Sequence, residues 1–212
     1  MQLQPTPTLI ENLYWITIVA LVVSSASGVL QAGFRRFDLF GMIIIGITTG
    51  IGGGSVRDML LGKQAFWIVN QEYFIVAVLS SVLMFIIARR WAVNPSFFLI
   101  PDAAGLAAYS IAGTLAALMF GAPWFVASFM GVLTGIMGGV LRDILCNEPP
   151  VVFQSSLYGT IAWVGSLLFI GLLYLDWDIT WATLAAGLLM FCTRVVAMKY
   201  DIGLPKFRFK TE

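Results

Sequence analysis

Gly46-Ile-Thr-Thr-Gly-Ile-Gly-Gly-Gly-Ser-Val-Arg-Asp58 returns 85 residues later as Gly131-Val-Leu-Thr-Gly-Ile-Met-Gly-Gly-Val-Leu-Arg-Asp143, without a gap and with eight of thirteen positions identical. The same shift pairs Ser25 with Ser110 and Gly28 with Gly113 upstream, and Tyr73 with Tyr158 and Ser81 with Ser166 downstream. Identity held in register on both sides of the motif marks a duplication. Each copy sits in an apolar run long enough to cross a bilayer, whose ~30 Å core takes roughly 20 helical residues. Outward from these two, seven such runs are legible: Leu13–Phe34, Leu39–Leu61, Tyr73–Ala88, Phe97–Phe120, Pro123–Leu145, Ser155–Leu175 and Trp181–Met198. The linkers are short and carry Gly, Pro or charge, as in Arg35-Arg36-Phe37-Asp38 and Asn147-Glu148-Pro149-Pro150, and none could hold an extramembrane domain.

Spans one to three and four to six are therefore copies, and span seven is an addition. A three-span unit ends on the side opposite its start, so its copy must enter inverted, related by a two-fold axis in the membrane plane. The predicted fold is all-α: a polytopic membrane protein of seven transmembrane helices, a 3+3 inverted repeat plus one. Repeat one covers about 13–88, repeat two about 97–175 and the seventh helix about 181–198, followed by a basic tail at 199–212, all in one transmembrane domain.

Composition agrees. Of 212 residues, 59% are hydrophobic and 11% charged, where a soluble domain carries about 25% charged residues. An ordinary soluble globule is excluded. The absence of histidine removes a histidine-based triad and any zinc site with imidazole ligands. Cys146 and Cys192 are too few for a disulfide framework. A net charge of +1 gives no basic face for nucleic acid. No Ser-Lys or paired-carboxylate arrangement suggests an enzyme, and nothing signals a cofactor or a metal.

Numbered along seven spans, one side receives Arg35, Arg36, Arg89, Arg90, Arg142, Arg194, Lys199, Lys206, Arg208 and Lys210, the other Arg57 and Lys63. The positive-inside rule places the larger set in the cytoplasm, with the amino terminus outside and the carboxyl terminus inside. Trp67, Trp91, Trp124, Trp177 and Trp181 fall near span ends, where an interfacial belt belongs. The first twelve residues lack Lys and Arg, so they do not read as a signal-peptide n-region, and the first span is expected to be retained.

Span two carries Gly46, Gly50 and Gly54 at four-residue spacing, and span five Gly131, Gly135 and Gly139. Small residues at that spacing let helices approach closely in lipid. The additional Gly52, Gly53 and Gly138 suggest a second use, a local break, because each glycine costs up to ~1 kcal/mol of helix propensity. A break at membrane depth survives where the freed backbone is buried in protein or lines water. Thr48, Thr49 and Thr134 add hydroxyls nearby. Ser55-Val-Arg-Asp58 fits a capping box for a half-helix restarting after the glycines.

Adjacent residues on a helix point ~100° apart, so Arg57 and Asp58, like Arg142 and Asp143, are expected not to neutralise one another. Two readings stay open. Either both pairs snorkel to head groups, or each marks one mouth of a polar path past the glycines. The candidate path residues are Thr49, Gly50, Gly52, Gly53, Gly54, Ser55, Arg57, Asp58, Thr134, Gly135, Gly138, Gly139, Arg142 and Asp143. Asp102, whose equivalent is a threonine at position 17, is expected to be interfacial, and Arg194 to snorkel. Ser24, Ser25, Ser27 and Ser110 could line a path or bond to their own backbone. The tail Lys206-Phe-Arg-Phe-Lys210 suits the anionic cytoplasmic leaflet or serves only as a topology determinant.

The paired Gly-Gly-Gly-Ser-Val-Arg-Asp and Met-Gly-Gly-Val-Leu-Arg-Asp motifs, on a three-plus-three-plus-one layout, resemble the prokaryotic branch of the trimeric intracellular cation (TRIC) channels, whose bacterial sequences also carry the label glycine transporter. The resemblance implies seven helices with the second and fifth kinked at their glycines, a pore in each protomer and a homotrimer in the inner membrane. It implies a monovalent cation as permeant ion, chiefly potassium with sodium as a second candidate, and membrane lipids as neighbours. The Lys-Glu-Val motif of the animal channels is absent. Val-Arg-Asp and Leu-Arg-Asp stand in its place. A secondary transporter of a small zwitterion such as glycine fits the same inverted repeat, because glycine breaks would offer both helix N-termini and free carbonyls.

Overall fold

The computed structural model describes residues 3–35, 37–90, 95–154 and 157–204, without the side chains of Pro95 and Ser96. Arg36, Trp91, Ser155 and the tail residues Lys206, Arg208 and Lys210 lie outside the described residues. Among those described, the chain is helical: α1 (Pro7–Ala32), α2 (Leu39–Leu60), α3 (Phe66–Val69), α4 (Gln71–Arg90), α5 (Leu99–Phe120), α6 (Trp124–Leu145), α7 (Val151–Gln154), α8 (Tyr158–Tyr174) and α9 (Ile179–Lys199). Six of the seven long helices are apolar and long enough to cross a membrane. The 17-residue α8 reaches ~26 Å, close to one hydrocarbon thickness.

Helix boundaries follow local chemistry. Thr6 accepts from Leu9 N–H with Pro7 in the first turn, and Asp38 accepts from Gly41 N–H at 2.7 Å. α2 and α6 end alike. Gly62 (φ 65) and Asn147 (φ 54) are left-handed, the next N–H groups of Lys63 and Glu148 reach back 2.8 Å to the Asp58 and Asp143 carbonyls, and Gly62 and Asn147 N–H bond to the Met59 and Ile144 carbonyls. Both are Schellman caps, which use the residue types that tolerate positive φ. Shifted by 85 residues, α2 and α3 coincide with α6 and α7 at both ends.

α1, α2, α5 and α6 form the centre; α4 lies on α1 and α2, α8 on α5 and α6, and α9 on α5 and α8. Large apolar side chains such as Leu21, Ile111, Leu115 and Phe169 fill the core, while α4 turns its small and hydroxyl face inward. On α4, Tyr73, Ala77 and Ser81 are buried while Ile75, Leu79, Leu83 and Ile86 are exposed, each set at helical spacing. This arrangement suits a hydrocarbon solvent, where close backbone packing replaces the hydrophobic drive.

The inverted repeat is visible in reciprocal contacts. A Cβ at Gly53 would collide with the Thr134 carbonyl of α6, and one at Gly138 with the Thr49 carbonyl of α2. These are equivalent residues in exchanged roles, the signature of a two-fold relation. Likewise Gly28 faces the Thr49 hydroxyl as Gly113 faces that of Thr134. The expected helix breaks are absent. α2 and α6 run as continuous α-helix through Gly52-Gly53-Gly54 and Gly138-Gly139. In lipid a freed amide has no water to bond, so the helix persists and the missing Cβ atoms serve close approach instead.

Candidate functional site

Where α2 crosses α6, the helices touch backbone to backbone, and a Cβ at Gly52 would lie only 2.6 Å from Leu141 Cδ1. Around this crossing the hydroxyls are arranged symmetrically. Thr49 and Thr134 donate to the carbonyls of Ile45 (2.6 Å) and Met130 (2.7 Å) one turn back. Ser25 and Ser110, both fully buried, lie beside Gly50 and Gly135, and their Oγ atoms have no hydrogen-bond partner among the described residues. The Tyr109 hydroxyl donates 2.5 Å to the Gly50 carbonyl and ties repeat two to repeat one.

The Arg-Asp pairs stand at the ends of α2 and α6, and they are closed ion pairs. Arg57 Nε and Nη2 each lie 2.8 Å from Asp58 Oδ1, and Arg142 Nε lies 2.8 Å from Asp143 Oδ1. The angular rule that predicted otherwise holds for short side chains; the arginine arm is long enough to fold sideways onto the next residue. The second carboxylate oxygen is used as well: Asp58 Oδ2 accepts from Phe66 N–H and Asp143 Oδ2 from Val151 N–H, both at 2.8 Å. Each aspartate thus clamps its arginine and anchors the first residue of α3 or α7. The capping box is not formed. Ser55 Oγ donates instead to the Ile51 carbonyl at 2.8 Å and accepts from Trp67 Nε1 at 2.9 Å.

Neither pair snorkels. Arg57 and Asp58 are 5% and 3% exposed, Arg142 and Asp143 0% and 1%. Charges buried this deeply persist only when paired. Arg194 is also buried rather than snorkelling, its guanidinium 4.5 Å from the centroid of the Tyr158 ring.

Asp102 is the residue most misjudged from sequence. It is buried, and its Oδ1 accepts from Arg142 Nη1 at 2.6 Å. Arg142 Nη1 also donates to Ser27 Oγ at 2.8 Å, and its Cζ lies 5.1 Å from the Phe98 ring centroid. An acid in an otherwise apolar span was the available signal; absence of a repeat-one counterpart hid it. Tyr73, Tyr109 and Tyr158, all buried near the arginines, gave no signal beyond the Tyr73–Tyr158 identity. The candidate residues therefore divide: Thr49, Gly52, Gly53, Thr134 and Gly138 stand at the α2–α6 crossing, Gly50 and Gly135 pack against α1 and α5, and Gly54, Ser55 and Gly139 lie with the Arg-Asp pairs toward the two ends, against Phe66, Trp67 and Tyr158.

A family model described as Glycine transporter matches residues 14–89 and again 99–174, one match to each repeat. The UPF0126 inner membrane protein YadS of Escherichia coli is 32% identical over 197 residues, covering 92% of this chain and 95% of that protein. A UPF0126 membrane protein of Vibrio cholerae is 33% identical over 92% of this chain and 82% of its own length. Among solved structures, the TRIC trimeric intracellular cation channel orthologue from Rhodobacter sphaeroides aligns with a TM-score of 0.85 at 30% identity, covering 90% of this chain and 98% of that one. A prokaryotic TRIC channel solved in 0.5 M KCl aligns at 0.81 and 28% identity, covering 91% and 98%.

Proposed function

We propose, because this chain belongs to the Glycine transporter family and carries the fold of the TRIC cation channels, that it is a monovalent cation channel conducting chiefly potassium. Each protomer holds its own pore beside α2 and α6, and three protomers assemble in the prokaryotic inner membrane with the amino terminus outside. The observation that carries this reading is the near-complete coverage of cation-channel structures at 28–30% identity.

The residues support it chemically. A conducting path needs several weak oxygen sites in series. Ser25 and Ser110, buried beside the crossing, offer hydroxyl oxygens not committed to another described residue. The Arg-Asp pairs at the two ends are each neutralised internally, which removes the repulsion that bare arginines would exert on a cation. With α2 and α6 in backbone contact, the crossing is shut in this state, so conduction requires the helices to part or the path to pass on the Ser25 and Ser110 side.

Glycine transport is the second reading, favoured by the description of the matching family. Its chemistry is weaker here, because continuous α2 and α6 offer no half-helix N-terminus to a carboxylate. Potassium flux into liposomes holding the pure protein, set against glycine uptake in the same vesicles, separates the two. Potassium flux without glycine uptake is expected. Glycine accumulation without potassium flux overturns the channel.

A further inference from the structure

The two Arg-Asp ends are equivalent by descent and unequal in how they are held. At the repeat-one end, Arg57 meets a carboxylate only from its own neighbour Asp58 among the described ion pairs, and its Cζ lies 5.7 Å from the Phe66 ring. Thr17 occupies the place of Asp102, and its hydroxyl turns back to the Leu13 carbonyl at 2.6 Å. At the repeat-two end, Arg142 is gripped by Asp143 and by Asp102 from a different helix. Tyr158 neighbours Asp102 with its hydroxyl and carries Arg194 on its ring. Arg194 comes from α9, a long helix with no counterpart in the repeat, and meets this end through the Tyr158 ring, whose hydroxyl and Asp102 Oδ1 lie 3.5 and 3.6 Å from the same point, the place of a Cβ on Gly139.

We infer that Asp102 and Arg194 are a matched pair of added charges, Asp102 acting as a positioning residue that pins Arg142 and couples it to α9, so that the repeat-one end around Arg57 is the one that moves. Charge balance gives the physical reason. Arg142 with Asp143 is already neutral, as Arg57 is with Asp58. A second buried carboxylate on such a pair would stand uncompensated, and burying an unpaired charge is prohibitive. Arg194 restores the balance at two positive to two negative, with the Tyr158 ring and hydroxyl between the added members. The result is a four-charge network spanning α5, α6 and α9, bridged by Tyr158 of α8. The other end has a single ion pair between adjacent residues of α2. A segment held by local contacts opens at lower cost than one tied across helices. The pinning stands on contacts alone. Assigning the mobile end as the gate rests on the channel reading above.

Hydrogen exchange and thermal unfolding of the purified protein test the pinning without any transport assay. Residues 146–154, anchored through Asp143 to Val151 N–H, are expected to exchange more slowly than the equivalent residues 61–69. Asp102→Asn keeps the shape, removes the charge and should speed exchange at 146–154 several-fold while leaving 61–69 unchanged. Arg194→Gln added to Asp102→Asn returns the end to one balanced pair, so the double variant should unfold at a higher temperature than Asp102→Asn alone. Equal exchange at the two ends of the native protein, or additive losses in the double variant, overturns the inference. If Asp102→Asn does not fold, recovery of folded protein in the double variant decides the same point. Potassium flux then addresses the gate: Arg57→Gln should alter flux more than Asp102→Asn does, and the reverse order refutes the assignment even where the exchange result holds.

Discussion

Replacing Gly53 by alanine isolates the contact on which the inverted-repeat packing rests. The added methyl would sit well inside 3.0 Å of the Thr134 carbonyl oxygen. That oxygen belongs to the main chain of a continuous helix, so no side-chain rotation relieves the overlap and α2 must shift from α6 along their length. Overpacking of this kind costs about 1–3 kcal/mol, occasionally more. Alanine returns up to ~1 kcal/mol of helix propensity, which leaves a net loss where a helix-propensity argument alone predicts a gain. Gly138→Ala should cost a similar amount, because the Thr49 carbonyl meets it in the exchanged roles. The double variant should cost less than the sum, since one displacement clears both overlaps. Gly171→Ala on α8 is the control, because no atom lies within 4 Å of a Cβ there. Thermal unfolding in detergent reads the result, at roughly 2–4 °C for each kcal/mol in a chain of this size. The two crossing variants should fall by several degrees and the control should not. Crossing variants as stable as Gly171→Ala would refute the claim that α2 and α6 touch through these glycines.

Other consequences follow from the same contacts. Arg142→Ala leaves Asp102 and Asp143 buried without their partner and should cost about 3–5 kcal/mol, whereas Arg57→Ala strands one carboxylate and should cost less; chemical unfolding of the two proteins ranks them. Ser25→Ala and Ser110→Ala remove hydroxyls without partners among the described residues, so stability should be unchanged or slightly raised, while potassium flux in liposomes should fall if they line the path. Gly62→Ala places a Cβ at φ 65 and should cost about 1–2 kcal/mol; Asn147→Gly, at the equivalent position, should be neutral or stabilising in the same melt.

The duplication, the seven spans and the inverted relation of the halves were all legible in the chain. Each is a matter of periodicity or register: a bilayer sets how many apolar residues make a span, and an odd span number dictates inversion. The functions of the individual groups were less legible. The glycines of α2 and α6 were as consistent with breaking as with packing, and which one they do depends on the facing helix, whose carbonyls fill the vacant space. Arg57 and Arg142 fold onto the next residue because Asp58 and Asp143 are themselves fixed by the N–H groups of Phe66 and Val151.

What the residues in order determined is the architecture, because hydrocarbon thickness and repeat register act along one dimension. What three dimensions alone decided is how the charges are shared. Asp102 and Arg142 are 40 residues apart, and Arg194 comes from a helix outside the repeat. Buried charges select partners by distance through a medium that screens them weakly, and no spacing along the chain encodes that distance.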